Sequence, residues 1–233
     1  MESSIGGLSG KSDFTAIIFD FDGVIVDSEP LHAEAKRRVL HDFGIDFDEI
    51  ILADFKGRTD KAFFEYVAAG LARGKASIFD MQSQKNSIYR ELFMNVPLVG
   101  GAYDFLLKAK GRLMKLGLVT SATRQDFELA NSKYHLSDFF AAIVTGDDCT
   151  FHKPHPMPYL LGLRKLDASP QSVLVIEDAP NGIAAAKSAD LRVAAIKTSF
   201  TEVELSKAGA DFIFATYGEI SHYLNFGPHA GTS

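Results

Sequence analysis

The chain has 233 residues, 46% of them apolar and 23% charged, and a formal net charge of −6. These proportions are those of an ordinary globular protein and exclude a disordered chain, a collagen and a coiled coil. The acidic balance disfavours a nucleic-acid binder with a broad basic surface, and no run approaches the roughly 18 apolar residues a membrane span needs.

In chain order, the segment 1–12 is polar and glycine-rich, lacks the apolar core of a secretion signal, and reads as a flexible tail. The first apolar run, Ala16–Phe19, is short and does not alternate with polar residues, which is the pattern of a strand buried on both faces. The segment 30–97 then breaks the rhythm. Leu31, Ala35, Val39 and Phe43 form a helical stripe over Leu31–Phe43, and further helices are predicted over Thr59–Arg73 and Ser77–Asn95. This stretch reads as a helical hairpin elaborating a loop or, as favoured here, as a small helical cap above the edge of a sheet where ligands of open α/β folds bind.

Further strands are predicted over Leu116–Thr120, Ala141–Val144, Val173–Ile176, Val193–Ile196 and Phe212–Ala215. Helical segments at Gln125–Tyr134, Pro156–Leu166, Gly182–Ala189 and Thr201–Ala208 separate them. The alternation predicts a doubly wound, mostly parallel, Rossmann-like α/β sheet with an inserted helical cap. The core would comprise 13–29 and 98–226, the cap 30–97, and a second tail 227–233. The lone Cys149 excludes an intrachain disulfide and a cysteine-rich metal site, and suits a reducing cytoplasm.

Chemistry concentrates at predicted strand ends. Ile17-Ile18-Phe19 runs directly into Asp20-Phe21-Asp22-Gly23, and Val173–Ile176 runs into Glu177-Asp178. Carboxylates are rarely buried without a partner, and a hard divalent cation with oxygen ligands is the natural one here. An EF-hand loop is excluded, because Val24 and Leu31 stand where that pattern needs acidic residues. Thr120-Ser121 ends another strand, where a hydroxyl can bind a phosphate oxygen or cap the following helix. Lys153 precedes Pro154, which restricts the backbone around it; taken alone, it reads as a solvated loop lysine.

Taken together and in order, Asp20-Phe21-Asp22-Gly23-Val24, Ser121, Lys153-Pro154 and Glu177-Asp178 resemble the four motifs of the haloacid dehalogenase-like superfamily. Phe19 to Glu29 is similar to its β-phosphoglucomutase and phosphoglycolate phosphatase-like branch, and the resemblance extends over roughly residues 14–224. It implies that Asp20 is a nucleophile forming an aspartyl-phosphate and that Asp22 is the general acid/base. It further implies Mg²⁺ held by the Asp20 carboxylate, the Asp22 carbonyl and Asp178, with Glu177 direct or through water. Ser121, its neighbour Ala122, and Lys153 would hold phosphate oxygens. Dehalogenation is disfavoured, because the dehalogenases of the superfamily lack the second aspartate and work without Mg²⁺.

In the predicted cap, Lys56-Gly57-Arg58-Thr59-Asp60 resembles a loop that enters the active site of sugar-phosphate members, making Gly57 and Arg58 substrate-binding candidates. The position matching Asp60 is typically an arginine in β-phosphoglucomutases, where it grips a second phosphate; an acidic residue would repel that group. His32 matches a cap-hinge histidine and equally reads as a half-buried histidine of the first cap helix. The expectation is a phosphatase acting on a small phosphorylated metabolite, with a phosphomutase and a phosphoacceptor signalling module as alternatives. No nucleic acid or membrane partner is expected, and the chain is expected to be a monomer or weak dimer.

Overall fold

Every residue of Ala16–Phe19 (β1) is completely buried. That explains the missing polar alternation, since each side of the strand faces a layer of helices. The computed structural model describes residues 14–55, 59–112 and 114–227. After β1 come α1 (Glu29–Asp42), α2 (Ile50–Asp54), α3 (Asp60–Gly70), α4 (Ile78–Phe93) and α5 (Ala102–Gly111). The alternating part follows: β2 (Lys115–Val119), α6 (Arg124–Tyr134), β3 (Ala142–Val144), α7 (Met157–Leu166), β4 (Val173–Glu177) and α8 (Pro180–Ser188). The described chain ends with β5 (Arg192–Ile196), α9 (Glu202–Lys207), β6 (Phe212–Phe214) and α10 (Tyr217–Tyr223).

The six strands form one sheet in the order β3-β2-β1-β4-β5-β6, and every pairing is parallel. Phe19 lies opposite Leu118 on one side and Ile176 on the other. The three central strands therefore finish level, and the loops after them start from one edge. The strand order reverses at β1, so this edge is the topological switch point where open α/β sheets bind ligands.

Successive strand residues face opposite layers. Ile17, Phe19, Leu118 and Ile176 pack with Phe105 of α5, Phe127 of α6 and Tyr217 of α10. Ile18, Val175 and Val193 pack with Tyr159 and Leu163 of α7, Ile183 of α8 and Leu205 of α9. Full burial of each large apolar side chain contributes about 1.5–3 kcal/mol, so the sheet is a rigid floor for its loops. The helices α1 to α4 enclose a separate apolar cluster that includes Val39, Leu52, Phe63, Phe64 and Met81.

Three helices, α2, α5 and α10, occur where none is predicted. The expected helix to Arg73 stops at Gly70, because Arg73 and Gly74 both take positive φ values, 47° and 79°. Among the described residues, no helix is long and apolar enough to cross a membrane.

Candidate active site

Asp20 leaves the end of β1 and is 7% exposed; Glu177 and Asp178 leave the end of β4 and are 1% and 3% exposed. Carboxylate oxygens from these three residues lie within 4.8 Å of one another. Gly23 makes this approach possible. It takes φ +70°, and a Cβ there would collide with the Asp178 carboxylate. Lys153 arrives from the loop before α7, with its peptide to Pro154 cis. Its ammonium reaches Asp20 Oδ1 at 2.6 Å, Glu177 Oε1 at 2.7 Å and the Val119 carbonyl at 3.0 Å. Three acceptors match the three N–H donors of an ammonium.

One lysine does not balance the carboxylates. Burial raises the Asp20 pKa well above its ordinary value; Lys153 opposes this, and the charges of Glu177 and Asp178 reinforce it. Burial and the Glu177 charge push Asp178 up to about 7, against hydrogen bonds from Ser199 and Thr198. Burial also raises Asp22, whose Oδ1 accepts the Ser28 hydroxyl at 2.6 Å. Crowded anionic oxygens with unfavourable charge are the donor set of a hard divalent cation. Among the described residues, Asp20, Glu177 and Asp178 form the group that could hold one.

These residues line a cavity of about 360 Å³ together with Asp22, Ser28, His32, Thr120 and Ser121. Ser121 is exposed to it and does not cap a helix. That role belongs to Thr123, whose hydroxyl accepts from the Asp126 amide at 3.1 Å. Ala122 follows Ser121 at the same sheet edge. Its amide donates to Thr120 Oγ1 at 2.9 Å, and it is not among the residues lining the cavity. Gly57 and Arg58, with Lys56, lie outside the described residues.

His32 reaches the cavity from α1, stacked on Tyr89 with ring centroids 4.2 Å apart. Its Nδ1 lies 2.9 Å from Lys85 Nζ. An ammonium only donates, which assigns Nδ1 as acceptor and places the ring proton on Nε2. Burial, then the Lys85 charge, lowers the His32 pKa to about 3. Asp60 stands between two lysines. It pairs with Lys85 at 2.6 Å and Lys36 at 3.4 Å, both nearly buried. Although burial opposes it, the charge and hydrogen bond of Lys85 hold Asp60 below its ordinary pKa.

Four site contributors escape the sequence reading: Ser28, Tyr159, Thr198 and Ser199. The single proton of the Thr198 hydroxyl is shared between the Gly23 carbonyl at 2.6 Å and Asp178 Oδ2 at 3.2 Å. The available signal was Thr198-Ser199 just beyond the end of β5, a hydroxyl pair at the same sheet edge. The tyrosine had no signal beyond its place in an apolar helix.

The central strands of the parallel sheet thus bring Asp20, Ser121 and Glu177-Asp178 to one edge, with Lys153 closing the set. Residues 17–196 match the profile of the haloacid dehalogenase-like hydrolases, and the chain belongs to that family. A phosphorylated-carbohydrate phosphatase of Thermotoga maritima is 33% identical over 76% of this chain and 82% of its own length. A validoxylamine A 7′-phosphate phosphatase of Streptomyces hygroscopicus subsp. limoneus is 29% identical over 94% of this chain and 100% of its own. Among solved structures, a Thermotoga maritima protein provisionally named a β-phosphoglucomutase superposes with a TM-score of 0.79. It is 29% identical, and the match covers 91% of this chain and 99% of that one.

Proposed function

We propose that this chain is a Mg²⁺-dependent phosphatase of small phosphorylated metabolites, resembling sugar or polyol phosphates, that works through an aspartyl-phosphate. The observation that supports this best is the Asp20 carboxylate at the floor of the cavity, held by Lys153 and crowded by Asp178. The two phosphatases similar to this chain support the substrate class.

Asp20, Asp178 and the Asp22 carbonyl would hold the cation, whose chemistry is to neutralise charge on the transferring phosphoryl group. Lys153 would exchange its bond to Asp20 for one to a phosphate oxygen, while Ser121 holds another. An Asp20 oxygen attacks phosphorus and the bond to the leaving oxygen breaks. Asp22, whose raised pKa favours the protonated form, gives its proton to that oxygen. Its carboxylate then takes a proton from the water that attacks phosphorus, which releases phosphate and restores Asp20. Two displacements replace one slow one. Residues 30–97 would act as the cap over this edge, and the single half-buried Cys149 suits a cytoplasmic enzyme.

Phosphosugar mutase chemistry is the rival, supported by the structural resemblance to a provisional β-phosphoglucomutase. The absence of the phosphate-gripping arginine at position 60, where Asp60 instead engages Lys36 and Lys85, favours hydrolysis of monophosphates. A panel of phosphorylated sugars and polyols, assayed with and without Mg²⁺, should show cation-dependent phosphate release. Conversion of glucose 1-phosphate to glucose 6-phosphate far faster than phosphate release would establish the mutase instead.

A further inference from the structure

Both oxygens of Glu177 are fully engaged. Oε1 accepts from Lys153 Nζ at 2.7 Å and from the Tyr159 hydroxyl at 2.7 Å. Oε2 accepts from the amides of Asp178 at 3.0 Å and Ala179 at 3.2 Å. A carboxylate offers about four acceptor positions, so these four donors occupy them. The carboxylate also lies directly against Gly182, where a Cβ would collide with it.

Tyr159 is completely buried in the layer between α7 and the sheet. Phenylalanine would fill such a place, and a buried hydroxyl is costly without a partner. Here the partner is Glu177, while the Tyr159 ring lies under the Lys153 ammonium at 4.9 Å from its centroid. One side chain thus braces both members of the Lys153–Glu177 pair. Asp178 differs, being held by neutral hydroxyls of Thr198 and Ser199 that leave its charge uncompensated.

We propose that Tyr159 is a positioning residue: its hydroxyl commits Glu177 to Lys153, so that Glu177 aims the lysine and the cation is left to Asp20 and Asp178. The kinetic part of this inference rests on the phosphatase reading; the metal-binding part does not.

Tyr159→Phe keeps the ring and removes the hydroxyl. On the full chain, kcat should fall roughly tenfold, the usual scale for a lost supporting hydrogen bond, with KM changed less than about threefold. Mg²⁺ affinity, measured by titration calorimetry without substrate, should stay within about threefold of wild type, whereas Asp178→Asn should weaken it at least tenfold. Unchanged kcat in Tyr159→Phe overturns the proposal, and so does a tenfold loss of Mg²⁺ affinity, which would make Tyr159 the support of a metal ligand. A wild-type crystal grown with Mg²⁺ decides the matter without any variant. Glu177 should keep its bonds to Tyr159 and Lys153, and a Glu177 oxygen at about 2.1 Å from the ion contradicts the proposal. If wild type releases phosphate from no substrate, the phosphatase reading fails, while the calorimetry and the crystal still judge Glu177.

Discussion

The ammonium of Lys153 lies 2.6 Å from Oδ1 of Asp20, with both side chains almost fully shielded from water. Burial is the largest single influence on Lys153 and lowers its pKa, but the charges of Asp20 and Glu177 and their hydrogen bonds together outweigh it and raise the value. The lysine is therefore a fixed positive charge. Removing one partner of a buried ion pair typically costs about 3–5 kcal/mol. Lys153→Met should lose roughly that much stability in denaturant unfolding, and at least about 100-fold in kcat if the lysine stabilises the transferring group. Added Mg²⁺ should restore more stability to the variant than it gives wild type, because it supplies the missing charge.

Gly182 sits in the first turn of α8, where alanine would ordinarily stabilise a helix by about 1 kcal/mol. The sign should reverse here, since the new Cβ meets the Glu177 carboxylate. Gly182→Ala is expected to lower the unfolding midpoint and reduce activity. A variant more stable than wild type would show that Glu177 has room to move.

His32 faces Lys85, Tyr89 and, beyond the lysine, Asp60 and Lys36. Its folded pKa, about 3, lies below its ordinary value of 6.5. The unfolded chain therefore takes up a proton that the folded chain refuses. The stabilisation is complete above about pH 6.5 and drains away as pH falls toward 3, at up to about 1.4 kcal/mol per pH unit. Unfolding measured between pH 7 and pH 5 should show a shallower decline for His32→Asn than for wild type. Parallel curves would mean that the imidazole protonates in the folded protein.

Asp60 is the shared counter-charge of Lys36 and Lys85, which are 5% and 3% exposed. Asp60→Ala would leave two buried ammonium groups without their carboxylate. A loss of about 3 kcal/mol is expected by the same buried-charge reasoning, read as a lower denaturant midpoint. Wild-type stability in the variant would show that water reaches both lysines.

The sheet was legible because its strands are buried on both faces, so β1 and β4 stand out as unbroken apolar runs such as Ile17-Ile18-Phe19. The ends of those runs then placed Asp20 and Glu177-Asp178 at one edge, whereas Lys153, a loop residue, was placed there only by its resemblance to a family motif. Less was legible where a contact joins distant segments. Nothing in the sequence pairs Asp60 with Lys36 and Lys85, because lysines on amphipathic helices usually face water and only the packing of α1, α3 and α4 brings these inward. Tyr159 reads as one more apolar residue of α7 until the fold sets its hydroxyl against Glu177. The stripe Ala102, Phe105, Leu106 and Ala109 was a sequence signal for α5 that went unread.

The central claim is that Asp20 bonds covalently to phosphorus. Wild-type enzyme and Asp20→Asn, each mixed with Mg²⁺ and a turned-over sugar phosphate, can be acid-quenched within milliseconds and reduced with borohydride, which converts an acyl phosphate to the alcohol. Peptide mass spectrometry should find homoserine at position 20 in wild type and no phosphate release by the variant. Rapid turnover with an unmodified Asp20, or an active Asp20→Asn enzyme, would contradict the account.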